Sequence, residues 1–222
     1  MSDLHDRDPA TGAGFTLIEL VVVLAVLSIL AGSLMPVVTA ARDGERALLV
    51  ELELERIATA LEAYYGDHGR FPARLDVPEF RERYLEARVA FGGLVDDWSP
   101  TGAPYGYAGD ADPDVVVVWS VGPDGVDDGG RREEVAVTVH GAVPGLRSTR
   151  ERLRLIAAAL EPFVAAGRTL SGDWAADRVA LGLGEAFERD GFGVLFRSDA
   201  DGVGVASAGP DRRFGTTDDL GL

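Results

Sequence analysis

The chain has 222 residues, 46% of them hydrophobic, and 37 acidic side chains against 21 basic ones give a formal charge of -16. A surface so acidic repels polyphosphate, and no Lys/Arg-dense patch offsets it, so a nucleic-acid-binding function is excluded. The absence of Cys excludes a disulfide scaffold and a thiolate metal site, while the Asp/Gly-rich loops leave divalent cations as partners.

Met1 to Gly14 is polar and acidic, with Asp3, Asp6 and Asp8 against Arg7. This is the reverse of the basic start of a secretory signal. From Leu20 to Ala41 there is no charged residue, a run of about 22 positions and roughly 33 Å as a helix, enough to cross a bilayer. One acid, Glu19, stands at the head of that run. A carboxylate among hydrocarbon needs a compensating partner.

Gly14-Phe15-Thr16-Leu17-Ile18-Glu19-Leu20 resembles the recognition sequence of type IV pilins and of type II secretion pseudopilins. The resemblance implies cleavage between Gly14 and Phe15 by a prepilin peptidase and methylation of the new amine. Glu19 then becomes the fifth mature residue and Pro36 the twenty-second, as in that family. It further implies that Glu19 pairs with the Phe15 amine of a neighbouring subunit, a register device in a low-dielectric core. The leader departs from the family in lacking a net positive charge, so orientation rests on the resemblance and not on loop charges.

Beyond the apolar run, Leu54, Ile57, Ala58, Leu61 and Tyr64 recur at helical spacing, with Glu51, Glu53, Glu55 and Arg56 between them. The spacing predicts one helix of about 50 residues, bent at Pro36, loosened at Asp43-Gly44 and stopped at Gly66 or Gly69. A further helix is expected over Glu79 to Val89. Aromatic and Val-rich runs between Asp/Gly/Pro turns, Asp96 to Tyr107 and Val115 to Val121, predict antiparallel strands, with Trp98 and Tyr105 in the core. The same strings resemble patterns of the major pseudopilin, D-W-G-x-P-Y with three residues inserted and S-x-G-x-D-G. Val135 to Val139 is another strand.

After a linker at Gly141 to Gly145, Ser148 and Glu151 read as a capping box for a second amphipathic helix, which Pro162 should kink or end. A short amphipathic piece, Trp174 to Phe187, follows. Asp97-Trp98 then answers to Asp190 and Phe192, Tyr105 to Phe196, and Ser120-x-Gly122-Pro123-Asp124 to Ser207-x-Gly209-Pro210-Asp211. An internal duplication is expected. The fold class is α+β: a leader 1–14, a transmembrane helix 15–41, a first pilin-like αβ domain 42–140 containing helix 42–65, a linker 141–147, and a second αβ domain 148–222.

The C-terminal run Gly209 to Leu220 resembles the calcium-binding loop of major pseudopilins. The resemblance implies a structural Ca2+ held by Asp211 and by Asp218 or Asp219, with carbonyls near Ala208 and Thr216. No nucleophile, metalloprotease or phosphate-cradling motif occurs, so no catalysis is expected. The expected function is a structural subunit of a type II secretion pseudopilus or related fibre. Its partners would be the prepilin peptidase, other pilins or pseudopilins and an inner-membrane assembly platform, with its heads on the periplasmic or extracellular side. The alternatives are a minor or tip-capping pilin and, in another class, a membrane-anchored surface binding module.

Overall fold

The computed structural model describes residues 16–85, 94–109, 112–129, 135–199 and 201–222. Its first element, α1, runs Leu17–His68 over 52 residues. Gly69 ends it in the left-handed conformation, φ 65°, where its N–H meets the Tyr65 carbonyl at 2.7 Å. Glycine is the residue that adopts this geometry without strain. Pro36 and Asp43-Gly44 lie inside the helix, which continues through both. The hydroxyls of Ser28, Ser33 and Thr39 donate back to the carbonyls of Leu24, Leu30 and Met35. Polar groups satisfied within the helix are what a lipid environment requires.

Contacts divide the chain after Glu45. In the first unit every residue from Thr16 to Glu45 is exposed in the isolated chain. Among the described residues α1 alone is long and apolar enough to cross a membrane. So much exposed aliphatic surface requires lipid or neighbouring helices to cover it.

The second unit, Arg46–Leu222, contains two apolar cores. In the first, Val50, Leu54, Ile57 and Leu61 of α1 pack with Phe80, Trp98, Tyr105, Val118 and Val139. Phe80 belongs to α2, Pro78–Arg83, which stops at its C-cap Tyr84 and is therefore shorter than the helix expected over Glu79 to Val89; residues 86–93 lie outside the described residues. The strands β1 (Gly106–Gly109), β2 (Val115–Ser120) and β3 (Val135–His140) form an antiparallel sheet in that order, with Val118 opposite Tyr107 and Val137. Alternate β2 residues, Val116, Val118 and Ser120, are buried, the period-two pattern of a strand with one covered face.

The second core joins Leu153, Ile156, Leu160 and Phe163 of α3 (Ala142–Ala165) with Trp174, Phe196 and Val205. Trp174 opens α4, Trp174–Ala180, capped by Asp173, whose side chain accepts from the Ala175 N–H; a 3₁₀ turn, Glu185–Phe187, follows. Strands β4 (Arg197–Ser198), β5 (Val205–Ser207) and β6 (Leu220–Gly221) form a second antiparallel sheet, again in chain order.

Two expectations are corrected here. The stretch 141–147 is no linker, because α3 starts at Ala142 and includes Pro144 and Gly145. Proline is tolerated in a first turn, whose N–H groups have no helical acceptor, and Gly145 lets the turn press on the Gly191-Phe192 loop: a Cβ there would stand 2.6 Å from the Phe192 ring. Ser148 is accordingly inside the helix and caps nothing. Pro162 is likewise helical, and α3 stops at Ala165, less than a turn later, with Gly167 at φ 74°.

Candidate functional site

Thr16 is the first described residue of the N-terminal segment. Gly14 and Phe15 lie outside the described residues. Thr16 precedes the first turn of α1, and Glu19 accepts from the Thr16 amide at 2.9 Å and from its hydroxyl at 2.8 Å, while the Glu19 amide donates to the Thr16 Oγ1 at 3.3 Å. This reciprocal pair is a capping box, which gives the carboxylate a partner within its own chain. Pro36 follows on the same apolar helix, with the Thr39 hydroxyl on its carbonyl at 3.0 Å.

In the head, two buried carboxylates repeat one hydrogen-bond pattern. Asp96 accepts from the Trp98 amide, the Ser120 hydroxyl and the Val121 amide at 2.7–3.0 Å, and Gly122 donates to Ser120 Oγ. Asp190 accepts from the Phe192 and Val194 amides and the Ser207 hydroxyl at 2.6–2.9 Å, and Gly209 donates to Ser207 Oγ. The partner of Asp190 is therefore Asp96 and not Asp97, since each buried acid caps the amide two residues on. In both turns that follow, an aspartate accepts from the amide two residues later, Asp124 from Val126 and Asp211 from Arg213.

At the next position the two turns diverge. Gly125 has φ 67°, and its equivalent Arg212 has φ 58°, a conformation that costs a side-chain-bearing residue about 1 kcal/mol or more. The Arg212 guanidinium holds it there. It donates to both Asp114 oxygens at 2.8 and 2.6 Å, to the Tyr65 hydroxyl, and to the carbonyls of Phe192 and Gly69. Tyr65 in turn donates to Asp114 at 2.6 Å. Arg152 makes a second rivet, donating to the Gly66 and Asp67 carbonyls at the end of α1 and to those of Arg189 and Asp190, a cation where the helix dipole favours one. Gly69 and Gly193 are in backbone contact, so that a Cβ on Gly69 would sit 2.1 Å from the Gly193 nitrogen.

These bonds make Arg212 the link between the C-terminal turn and α1. Arg212→Ala should lower the unfolding free energy of the head by about 2 kcal/mol, discounted because the pair is partly solvated. Arg212→Gly should lose about 1 kcal/mol less, since glycine relieves the backbone strain; chemical denaturation of both variants checks the order. Burial pushes the Asp114 carboxyl up, but the hydrogen bonds from Arg212 and Tyr65 outweigh it and hold it below its ordinary 3.8. A carboxyl lowered by folding stabilises the fold above its ordinary value and loses that contribution as pH falls through its folded value. Head stability should therefore drop below about pH 4, and less steeply in Asp114→Asn, in a pH series of denaturation midpoints.

The C-terminal loop gathers most of the expected metal ligands. Thr216 Oγ1 touches Asp218 Oδ1 at 2.5 Å and Asp219 Oδ1 at 3.3 Å, and Asp218 Oδ2 accepts from the Asp211 amide at 3.0 Å. The Asp218 carboxyl lies below its ordinary value, first through the Thr216 hydroxyl and then through the Asp211 amide. A Cβ on Gly209 would fall 2.2 Å from the Asp218 carbonyl, which sets the loop's close return beside Ala208. The Asp211 carboxylate instead closes its own turn at Arg213. Among the described residues no three His, Cys, Asp or Glu groups converge as a ligand set. Asp218 and Asp219 are hard oxygen donors that fit Ca2+ in kind, with main-chain oxygens and water needed to complete its coordination.

Sequence reasoning passed over Asp96, Asp114, Arg152, Asp177 and Arg212. Asp177 is buried and accepts from the Ser171 and Gly172 amides and the Ser198 hydroxyl. For Asp96 a signal existed, the Asp-x-aromatic spacing of Asp190-x-Phe192. For the others none did.

An N-terminal helix long and apolar enough to cross a membrane, opening on a capped acid and leading into a small sheet-bearing head, has the form of a pilin-like structural subunit. Residues 12–35 match the family model for the prokaryotic N-terminal methylation motif. Type II secretion system core protein G of Pseudomonas aeruginosa is 28% identical over 131 residues, 53% of this chain and 87% of that protein. Competence protein ComGC of Halalkalibacterium halodurans is 36% identical over 74 residues, 33% of this chain and 72% of that protein. No solved structure matches. The chain belongs to the pilin-like family that contains type IV pilins and pseudopilins, and it is a membrane-anchored structural subunit of a pseudopilus or pilus.

Proposed function

We propose that this subunit serves a type II secretion pseudopilus. A prepilin peptidase cuts it between Gly14 and Phe15, the new amine is methylated, and α1 anchors it in the bacterial inner membrane with the head on the periplasmic or extracellular side. An inner-membrane assembly platform then moves it into a fibre with other pilins or pseudopilins, and no catalytic step is assigned to it. The observation that carries the reading is Glu19, an acid at the fifth position after the Gly14-Phe15 junction, heading an apolar run from Leu20 to Ala41 that is exposed throughout in the isolated chain. Mass spectrometry of the mature protein should find methylated Phe15 at the amino terminus; a retained leader would overturn the proposal.

The head is read as a duplication, supported by two three-stranded antiparallel sheets and by the paired Asp96-Ser120 and Asp190-Ser207 brackets. A second reading, a low-copy minor or tip-capping subunit, is favoured by that doubled head, which is bulky for close helical repetition. A surface binding module anchored by α1 would give no crosslinked ladders through its N-terminal helices, whereas a fibre subunit would.

Calcium is assigned to the C-terminal loop, with Asp218 and Asp219 as carboxylate ligands, Asp211 beside them and carbonyls at Ala208 and Thr216. An ion that binds only the folded state stabilises it by about 2.7 kcal/mol at one hundred times its dissociation constant. Melting of the head in calcium should lie about 5–10 °C above that in chelator. Equal midpoints would remove the ion from the account.

A further inference from the structure

The described charges of α3 are four arginines and two glutamates, which makes it a positive element in a chain of net charge -16. At 100° per residue Val143, Arg147, Arg150 and Arg154 fall within an arc of about 60° on one side of the helix. All are exposed, and with Leu146 and Glu151 they line a groove of about 430 Å³. Among the described residues the three arginines of this face make no ion pair. The basic patch that the linear sequence hides is thus built by helical spacing, and it corrects the expectation that no such patch exists.

The head also carries its complement. On the solvent side of α1, Glu51, Glu55 and Glu62 fall within an arc of about 40°, beside Leu48 and Leu52. Those leucines are 63% and 50% exposed, and among the described residues the three glutamates make no ion pair. Arg150 and Arg154 have the same four-residue spacing as Glu51 and Glu55, so both pairs repeat at about 6 Å along their helices.

We propose that the basic face of α3 docks on the acidic outer face of α1 in a neighbouring copy of this chain. The inference rests on the fibre reading above and names the contact between heads within it. Glu62 lines one groove with Arg147 of its own chain, whereas Glu51 and Glu55 lie outside that groove and outside the one lined by Arg150 and Arg154; the contact through Glu51 and Glu55 is therefore heterologous, and a head-to-tail contact that does not close propagates as a helical fibre. Opposite charges at matched spacing fix the register, while each copy would otherwise present a strongly acidic head to the next.

The chain has no cysteine, so single-cysteine variants test the contact cleanly. Membranes containing full-length Glu55→Cys and Arg150→Cys copies together are treated with a thiol crosslinker spanning about 10 Å, the separation of packed helices. A photocrosslinker at Leu30 in the same chains reports packing of the N-terminal helices. The expected result is a Leu30 ladder together with a 55–150 product. That product should fall at least about tenfold when Arg147 and Arg154 become Glu in the Arg150→Cys copy, and return when Glu51 becomes Arg in the Glu55→Cys copy. A ladder without the product overturns the docking contact and leaves the fibre reading intact. No ladder overturns both. A label at position 150 quenched by anionic lipid headgroups, without the 55–150 product, assigns the α3 face to the membrane surface and overturns the proposal.

Discussion

Asp190→Ala should unfold much of the head's second half. The carboxylate is 1% exposed and accepts from the Phe192 and Val194 amides and the Ser207 hydroxyl, so alanine leaves buried donors without acceptors. Each such group costs about 1–3 kcal/mol, and a total loss of about 4 kcal/mol is expected, large against the stability of an ordinary domain. Urea denaturation and proteolysis near Phe192 check it. Asp96→Ala should produce a similar loss in the first half, where the Trp98 and Val121 amides and the Ser120 hydroxyl are stranded. Asp97→Ala should be nearly neutral, within about 0.5 kcal/mol. Equal effects of Asp96→Ala and Asp97→Ala would contradict the two-residue offset on which the correspondence with Asp190 depends.

Glu19→Ala should cut incorporation into fibres at least about tenfold, while the protein stays in the membrane. Insertion is driven by the apolar run that follows, which the substitution does not touch. Glu19 bonds the Thr16 hydroxyl as well as its amide, so Thr16→Ala separates two roles. If the carboxylate serves only to cap α1, Thr16→Ala and Glu19→Ala should impair assembly comparably. If it awaits the amine of another subunit, Thr16→Ala should retain most incorporation and Glu19→Ala should not. Co-purification of tagged with untagged copies reads both.

The long helix, its stop at Gly69 and the strands at Val115–Ser120 and Val135–His140 were legible because periodicity and turn residues act over a few neighbours. The methylation motif, the acid at Glu19 and the acidic C-terminal loop were legible as short strings. The start of α3 was misread because Gly141 to Gly145 has the composition of a linker, whereas its glycines serve close packing, Gly141 against the Tyr65 ring and Gly145 against that of Phe192. Arg212 was unreadable for a different reason. It stands where the first half has a left-handed glycine, and its partners Asp114 and Tyr65 lie 98 and 147 positions away.

By itself the sequence determined that this chain has a helix long and apolar enough to cross a membrane, carries the N-terminal methylation motif and bears small sheets after it, since these follow from runs and spacings within single segments. Tertiary structure alone decided that the two halves of the head are riveted together by Arg152 and Arg212, and which buried acids hold the turns. Those features depend on groups far apart in the chain meeting at hydrogen-bond distance, which no local pattern specifies.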